Sequence, residues 1–250
     1  MLRNYLITKL RILLKNKLFT AINIGGLTIG LTASFLIILF VLNELGYDRL
    51  LPAHDRIFTI ETVSTPPDRA PAALARSAVE IRAAMEKDFA EIESFTRLNA
   101  GSAPIKVGNT LFPEKAFRIE ETFFNVFKMP FIEGNPENAV ANTNAAIITQ
   151  NMAIKYFGKT DVLGETFNVG DTVYNVTGII EDLPQKTHLD FEVLLYEGVR
   201  AFDMDFIDWT SARLYSYFIL KDGATIETIK QGNKRDIFIT KVGKGGILGN

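Results

Sequence analysis

The chain has no cysteine and only two histidines, His54 and His188, in 250 residues. Without cysteine there is no disulfide framework, no thiolate nucleophile and no sulfur-ligated metal. The two histidines lie far apart and in no HExxH spacing, so each reads as a solvated or capping side chain. A GxSxG elbow is missing as well. The nearest approach to a phosphate-binding loop is Gly158-Lys159-Thr160. A P-loop needs a further glycine where Ala153 stands, and this triplet follows a helical pattern rather than opening one. Asp203 and Asp205 form a DxD without the glycine and final glutamate of a calcium loop, and read as a solvated acidic loop. The formal net charge is −2, and no basic patch lies beyond the first 17 residues, which argues against nucleic acid as a partner. No catalytic residue, cofactor-binding residue or metal ligand is assigned, and the chain is read as no enzyme.

What the chain does have is a long uncharged run. Leu18–Asn43 reads LFTAINIGGLTIGLTASFLIILFVLN, without one Asp, Glu, Lys or Arg. A helix needs roughly 20 apolar residues to cross a bilayer core of about 30 Å, so this run suffices with some tilt. Before it stand Arg3, Lys9, Arg11, Lys15 and Lys17; the first acidic residue is Glu44. The Lys/Arg excess places residues 1–17 in the cytoplasm and everything from Glu44 onward outside it. A cleaved signal peptide fits poorly, because the basic head and the apolar core are both too long and no A-x-A-like site follows. In the head, Leu2, Leu6, Leu10, Leu13 and Leu14 fall near helical spacing between the basic residues, as in an amphipathic helix on anionic lipid; plain topology enforcement explains the same charges. Within the crossing, Gly26, Gly30 and Ser34 recur at i, i+4 and i+8, a stripe on which another membrane helix can approach closely.

The rest reads as an α+β domain. RIFTIETVS (56–64) alternates as a strand, TPPDRAP (65–71) breaks it, and from Pro71 a helical stripe runs through Leu74, Ala78, Ile81 and Met85. Ile92–Leu98 is a second strand, so the segment reads as a βαβ unit. Short strands are expected near Pro104–Val107, Thr110–Phe112 and Ala116–Ile119, and a short helix over Glu121–Phe127. A strand over Ala145–Thr149 precedes a helix over Gln150–Phe157 that Gly158 stops. Thr166–Ile180 carries a Gly170-Asp171 hairpin turn, and Leu214–Leu220 with Thr225–Gly232 forms a last strand–helix pair. Phe123, Phe124, Phe127 and Phe131 read as core, and the sequon at Asn175 as ordinary surface sequence. The glycine-rich end, KVGKGGILGN, is expected to be disordered.

Several blocks, in order, carry a resemblance: KNKLFTAINIGGLTIGLTAS, ELGYDRLLPAHDRIFTI, ETFFNVFKMPFIEGNPENAV, AAIITQNMAIKYFGKTDVLGETFNV and YNVTGIIEDLPQKTHLDFEVLL. Together the chain resembles the permease subunits of MacB/FtsX-like ABC transporters, with their MacB-like periplasmic core domain. The resemblance implies an outer domain over residues 44–222, after a head (1–17) and a crossing (18–43), and leaves 223–250 as a poorly matching tail. It implies a separate cytoplasmic ABC ATPase subunit, a permease homo- or heterodimer, and a bacterial cell-membrane location. It also implies a role in passing ATPase-driven motion to the outer domain for export or release of a substrate. Tyr47, Asp48, Arg49, Asp55 and Arg56 fall in a block that would join crossing and domain. Family members carry at least three further crossings, so the chain is expected to be the front part of such a permease. The alternative is a single-pass anchored binding or adaptor protein.

Overall fold

The computed structural model describes residues 15–45, 51–64, 72–183, 187–198, 202, 214–233 and 237–242. The leucine pattern of the head, Tyr47–Arg49, the proline-rich break, Asp203 with Asp205, and residues 243–250 lie outside them. The chain divides into two units, Met1–Gly46 and Tyr47–Asn250.

The first unit is one helix, α1 (Lys17–Leu45), built on the uncharged run. The second is a mixed sheet with short helices. In chain order its elements are β1 (Ile57–Ser64), β2 (Ala72–Leu74), α2 (Ile81–Asp88), β3 (Ile92–Val107), β4 (Thr110–Ile119) and α3 (Phe123–Val126). There follow β5 (Phe131–Glu133), α4 (Pro136–Ala139), β6 (Ala145–Thr149), α5 (Gln150–Phe157), β7 (Thr166–Val169) and β8 (Thr172–Ile180). β9 (Val193–Tyr196), β10 (Tyr215–Leu220), α6 (Ile226–Gly232) and β11 (Ile237–Lys241) complete it.

The expected helix from Pro71 starts ten residues later. Ala72–Leu74 instead pairs antiparallel with the end of β1, and Ser77 bridges to Leu214. Both contacts spend the backbone groups of 72–77 on a sheet edge, so they are not free for a helical turn. The βαβ unit is there, but split. β10 lies between β1 and β3, antiparallel to both. In the same way β1 lies between β10 and β11. The order β11-β1-β10-β3 is therefore two interlocked split βαβ units, the ferredoxin-like arrangement, with residues 108–214 inserted between its second and third strands. α6 and β11 belong to this sheet: the segment that matched the resemblance poorly supplies its edge strand.

The insertion makes a second body. β3 pairs β4, β4 pairs β9, β9 pairs β6, β6 pairs β8, β8 pairs β7, and β7 pairs back to β3 at Ile105 and Lys106. These six strands close into a ring. The three short strands expected between Pro104 and Ile119 are parts of one long hairpin. Its prolines, Pro104 and Pro113, sit opposite each other, a place a ladder tolerates where it does not use their missing N–H groups. β3 has 16 residues, so at about 3.3 Å each it runs about 50 Å, from the split βαβ sheet into the ring. Two-residue turns, Gly108-Asn109 and Gly170-Asp171, close the two hairpins in glycine-first order, with φ of 57° and 60° at the glycines.

Three apolar clusters follow from strand alternation. Phe58, Phe218 and Phe95 stack across β1, β10 and β3, with centroids 5.7 and 6.3 Å apart, under Ile81, Met85, Phe89 and Ile229. The ring is filled by Ile105, Ala116, Ile148, Phe167, Val176 and Leu195, with Met152 and Tyr156 of α5. Between the two bodies sits an aromatic cluster around Phe123, Phe124 and Phe127. His188 departs from expectation here. It is buried, 5.3 Å from the Tyr217 ring and 6.2 Å from that of Phe127, because its loop folds into this cluster with Leu189 and Phe191.

Candidate functional site

The residues singled out in the sequence sit on α1. Lys17–Leu42 has a mean hydropathy of 2.3, and none of it is buried within the chain. A helix with apolar side chains all round suits lipid rather than water. Gly26, Gly30 and Ser34 lie one turn apart on one face, spanning about 12 Å. A Cβ added at Gly26 or Gly30 meets nothing within 4 Å, so the furrow they leave is open. The two hydroxyls nearby are satisfied inside the helix: Ser34 Oγ donates to the Gly30 carbonyl at 2.9 Å and Thr28 Oγ1 to that of Ile24 at 2.7 Å. Neither needs a partner in the bilayer core. Gly158, the glycine of the P-loop-like triplet, ends α5 in the left-handed region at φ 70°, and its N–H bonds the Ile154 carbonyl at 2.8 Å. Lys159 pairs with Glu165 at 2.8 Å.

In the second unit the chain comes and goes at one end. β1 starts there, β10 ends there and β3 begins there, since Ile57 faces Ile219 and Ile92 faces Leu220. Val242 donates its N–H to the Ile57 carbonyl at 3.1 Å, so the last described residue lies beside the first strand. A groove of about 550 Å³ opens at this end, floored by Phe58, Leu220 and Ile239 and rimmed by Arg56, Glu227 and Lys230. Arg56 is tied to Glu93 at 3.2 Å, to Asp222 at 2.7 Å and to the Leu220 carbonyl at 2.9 Å. The turns at Gly108 and Gly170 mark the other end of β3.

Sequence reading missed the buried charges that hold the long hairpin. Glu120, 3% exposed, accepts from the Arg97 backbone N–H and from Arg97 Nε, both at 2.8 Å, and pairs with Arg82 Nη1 at 3.1 Å. Arg97 also donates to the Val79 carbonyl at 2.6 Å, and its guanidinium covers the Phe202 ring at 5.8 Å. In the ring, Glu114 is 3% exposed and accepts from Lys155 Nζ at 2.5 Å. Its signal was legible: Phe112, Glu114 and Ala116 alternate on one face of β4, which put a carboxylate on the inward side. Arg118 pairs with Glu197 at 2.7 Å, and Tyr174 donates to the same carboxylate at 2.6 Å. The Tyr174 hydroxyl is pushed up from its ordinary value, first by burial and then by this bond to Glu197. Among the described residues no three acidic or histidine side chains come together as a metal-binding group.

Residues 20–233 match the family model of the MacB-like periplasmic core domain. No functionally curated protein matches the chain. Among solved structures, a domain of a permease protein from Porphyromonas gingivalis is similar at 20% identity and a TM-score of 0.60, over 77% of this chain and 90% of that one. The periplasmic region of MacB from Actinobacillus actinomycetemcomitans is similar at 15% identity and a TM-score of 0.55, over 76% and 90%. The extracellular domain of the noncanonic ABC-type transporter YknZ from Gram-positive bacteria is similar at 13% identity and a TM-score of 0.52, over 74% and 99%. These likenesses fix the fold, and the family model covers most of the length. The chain, anchored in the membrane by its N-terminal apolar helix, belongs to the family of proteins with a MacB-like periplasmic core domain.

Proposed function

We propose that the chain is the N-terminal part of an ABC transporter permease subunit, passing motion from a separate cytoplasmic ATPase to an outer domain that exports or releases a substrate. One observation carries the reading. The Val242–Ile57 bond sets the end of the described domain beside its beginning, as suits a domain inserted between two membrane segments. The long β3–β4 hairpin, clamped by the Arg97–Glu120 pair, gives such a domain a stiff member from that end to the ring. The head of the chain faces the cytoplasm and residues 44–250 the outside, on the Lys/Arg excess before α1. Energy comes from a partner, since the one P-loop-like triplet closes a helix.

Affinity purification of the tagged chain from its source membrane in mild detergent tests this. A stoichiometric ATP-binding subunit that hydrolyses ATP is expected to come with it. Recovery of the chain without any ATPase would turn the reading toward the anchored adaptor.

The open stripe on α1 is the proposed contact with a second membrane helix, in a permease homo- or heterodimer. A cysteine-free chain makes single-cysteine variants clean reporters. Ser34→Cys is expected to form an oxidative crosslink in membranes, to itself or to a partner permease, while Leu36→Cys, about 200° round the helix, does not. Asn109→Cys on the hairpin turn is expected to react with a membrane-impermeant maleimide added to intact cells or spheroplasts. Equal crosslinking at both helix positions, or labelling only after lysis, would remove the packing and the orientation respectively.

A further inference from the structure

The cluster around Glu114 has a second carboxylate in it. Glu192, just before β9, accepts the Lys115 backbone N–H at 3.0 Å and hydrogen-bonds the Glu114 side chain. The two strands are also joined there by their backbones, Glu192 N–H to the Lys115 carbonyl at 2.9 Å. From α5, Lys155 reaches Glu114, lies over the Phe112 ring at 5.6 Å, and is followed by Tyr156, whose hydroxyl also bonds Glu114. On the outer side Lys115 pairs with Asp190. The charged groups that face the pair are therefore Lys115 of β4, Lys155 of α5, and Asp190 of the loop before β9. Lys115 and Asp190 cancel. With both glutamates ionised the remainder is one excess negative charge beside a buried carboxylate; with one proton it is neutral.

We propose that this cluster is a proton-operated latch: a proton shared by Glu114 and Glu192 holds α5 against the ring, and its loss loosens α5. Two carboxyl groups in one hydrogen bond cannot both be ionised without cost. Glu192 is held above its ordinary value, first by burial and then by Glu114, against the opposing pull of the Lys115 N–H and of Lys155. A carboxyl raised in the fold stabilises it below the unfolded value and loses that stability as pH rises through the folded one. The latch is thus closed in acid and released above the ordinary carboxylate range. α5 is the helix that responds, because Met152, Ala153 and Tyr156 are what it contributes to the ring core.

Hydrogen exchange on the full chain in detergent, corrected for the intrinsic pH dependence of exchange, tests it. Between about pH 5 and about pH 8, opening of the α5 amides is expected to rise by about tenfold, while the amides of α6 stay level. Glu192→Gln, a neutral stand-in for the protonated acid, is expected to keep α5 at its low-pH protection throughout. Opening of α5 that is level across this range in the wild-type chain overturns the latch, and that measurement decides even if the variant does not fold. A pH response that survives unchanged in Glu192→Gln also overturns it.

Discussion

Glu120→Ala is expected to destabilise the outer domain by about 3–5 kcal/mol, the usual cost of breaking a buried pair from one side. For a domain of this size that lowers the melting temperature by about 10 °C. The carboxylate accepts from Arg97 through the backbone and through the guanidinium, and from Arg82, while only 3% exposed. Its removal leaves one buried cation without its counter-charge and an orphaned N–H in the middle of β3. Arg82→Ala is expected to cost far less, since its side chain is 22% exposed and shares itself among Glu86, Glu120 and Glu121. The double variant Arg97→Met with Glu120→Leu should recover much of the loss, because apolar replacement of a whole buried pair is often near neutral. Thermal unfolding of the full chain in detergent, followed by near-ultraviolet circular dichroism, reads all three. A drop below about 3 °C for Glu120→Ala would mean that water reaches the pair and that it clamps nothing.

The local order of the chain was largely legible, and the pairing was not. Ala145–Thr149 with Gln150–Phe157 came out at the observed bounds, because a run of five buried residues, a helical stripe and a terminal glycine all act within a dozen residues. The Gly170-Asp171 hairpin and the last strand–helix pair were read for the same reason. What escaped was decided at long range. Nothing inside Ile57–Leu98 tells that β10, more than a hundred residues later, inserts between β1 and β3. Nothing inside 104–119 tells that two prolines meet on one rung of a continuous hairpin rather than interrupting it. The helix expected from Pro71 failed because sheet-edge pairing of 72–77 outcompetes an amphipathic pattern that is weak before Ile81. His188 escaped because its burial depends on a loop folding over Phe127 and Tyr217, which lie 61 residues before it and 29 after it. The membrane stripe was readable as spacing alone, since helical geometry fixes which residues share a face.

Phe123→Ala is the second large effect, at about 3–5 kcal/mol. Phe123 is fully buried and meets Phe124 at 5.2 Å, Phe127 at 5.1 Å and Phe191 at 6.4 Å, edge-on or tilted. Truncation removes the central ring of a cluster whose other members come from both bodies: Ile57, Leu98, Tyr217 and Ile219 from the split βαβ sheet, Phe117, Ile147 and Leu194 from the ring strands. The cavity therefore opens at the joint. Phe167→Ala, at a site just as buried but inside the ring core alone, provides the comparison. Both variants should lower the melting temperature, and only Phe123→Ala should split the unfolding of the domain into two steps, since it weakens what makes the bodies unfold together. Calorimetry on the full chain distinguishes them. A single sharp transition in both variants would show that the β3–β4 hairpin alone couples the bodies, and that the aromatic joint adds stability without carrying cooperativity between them.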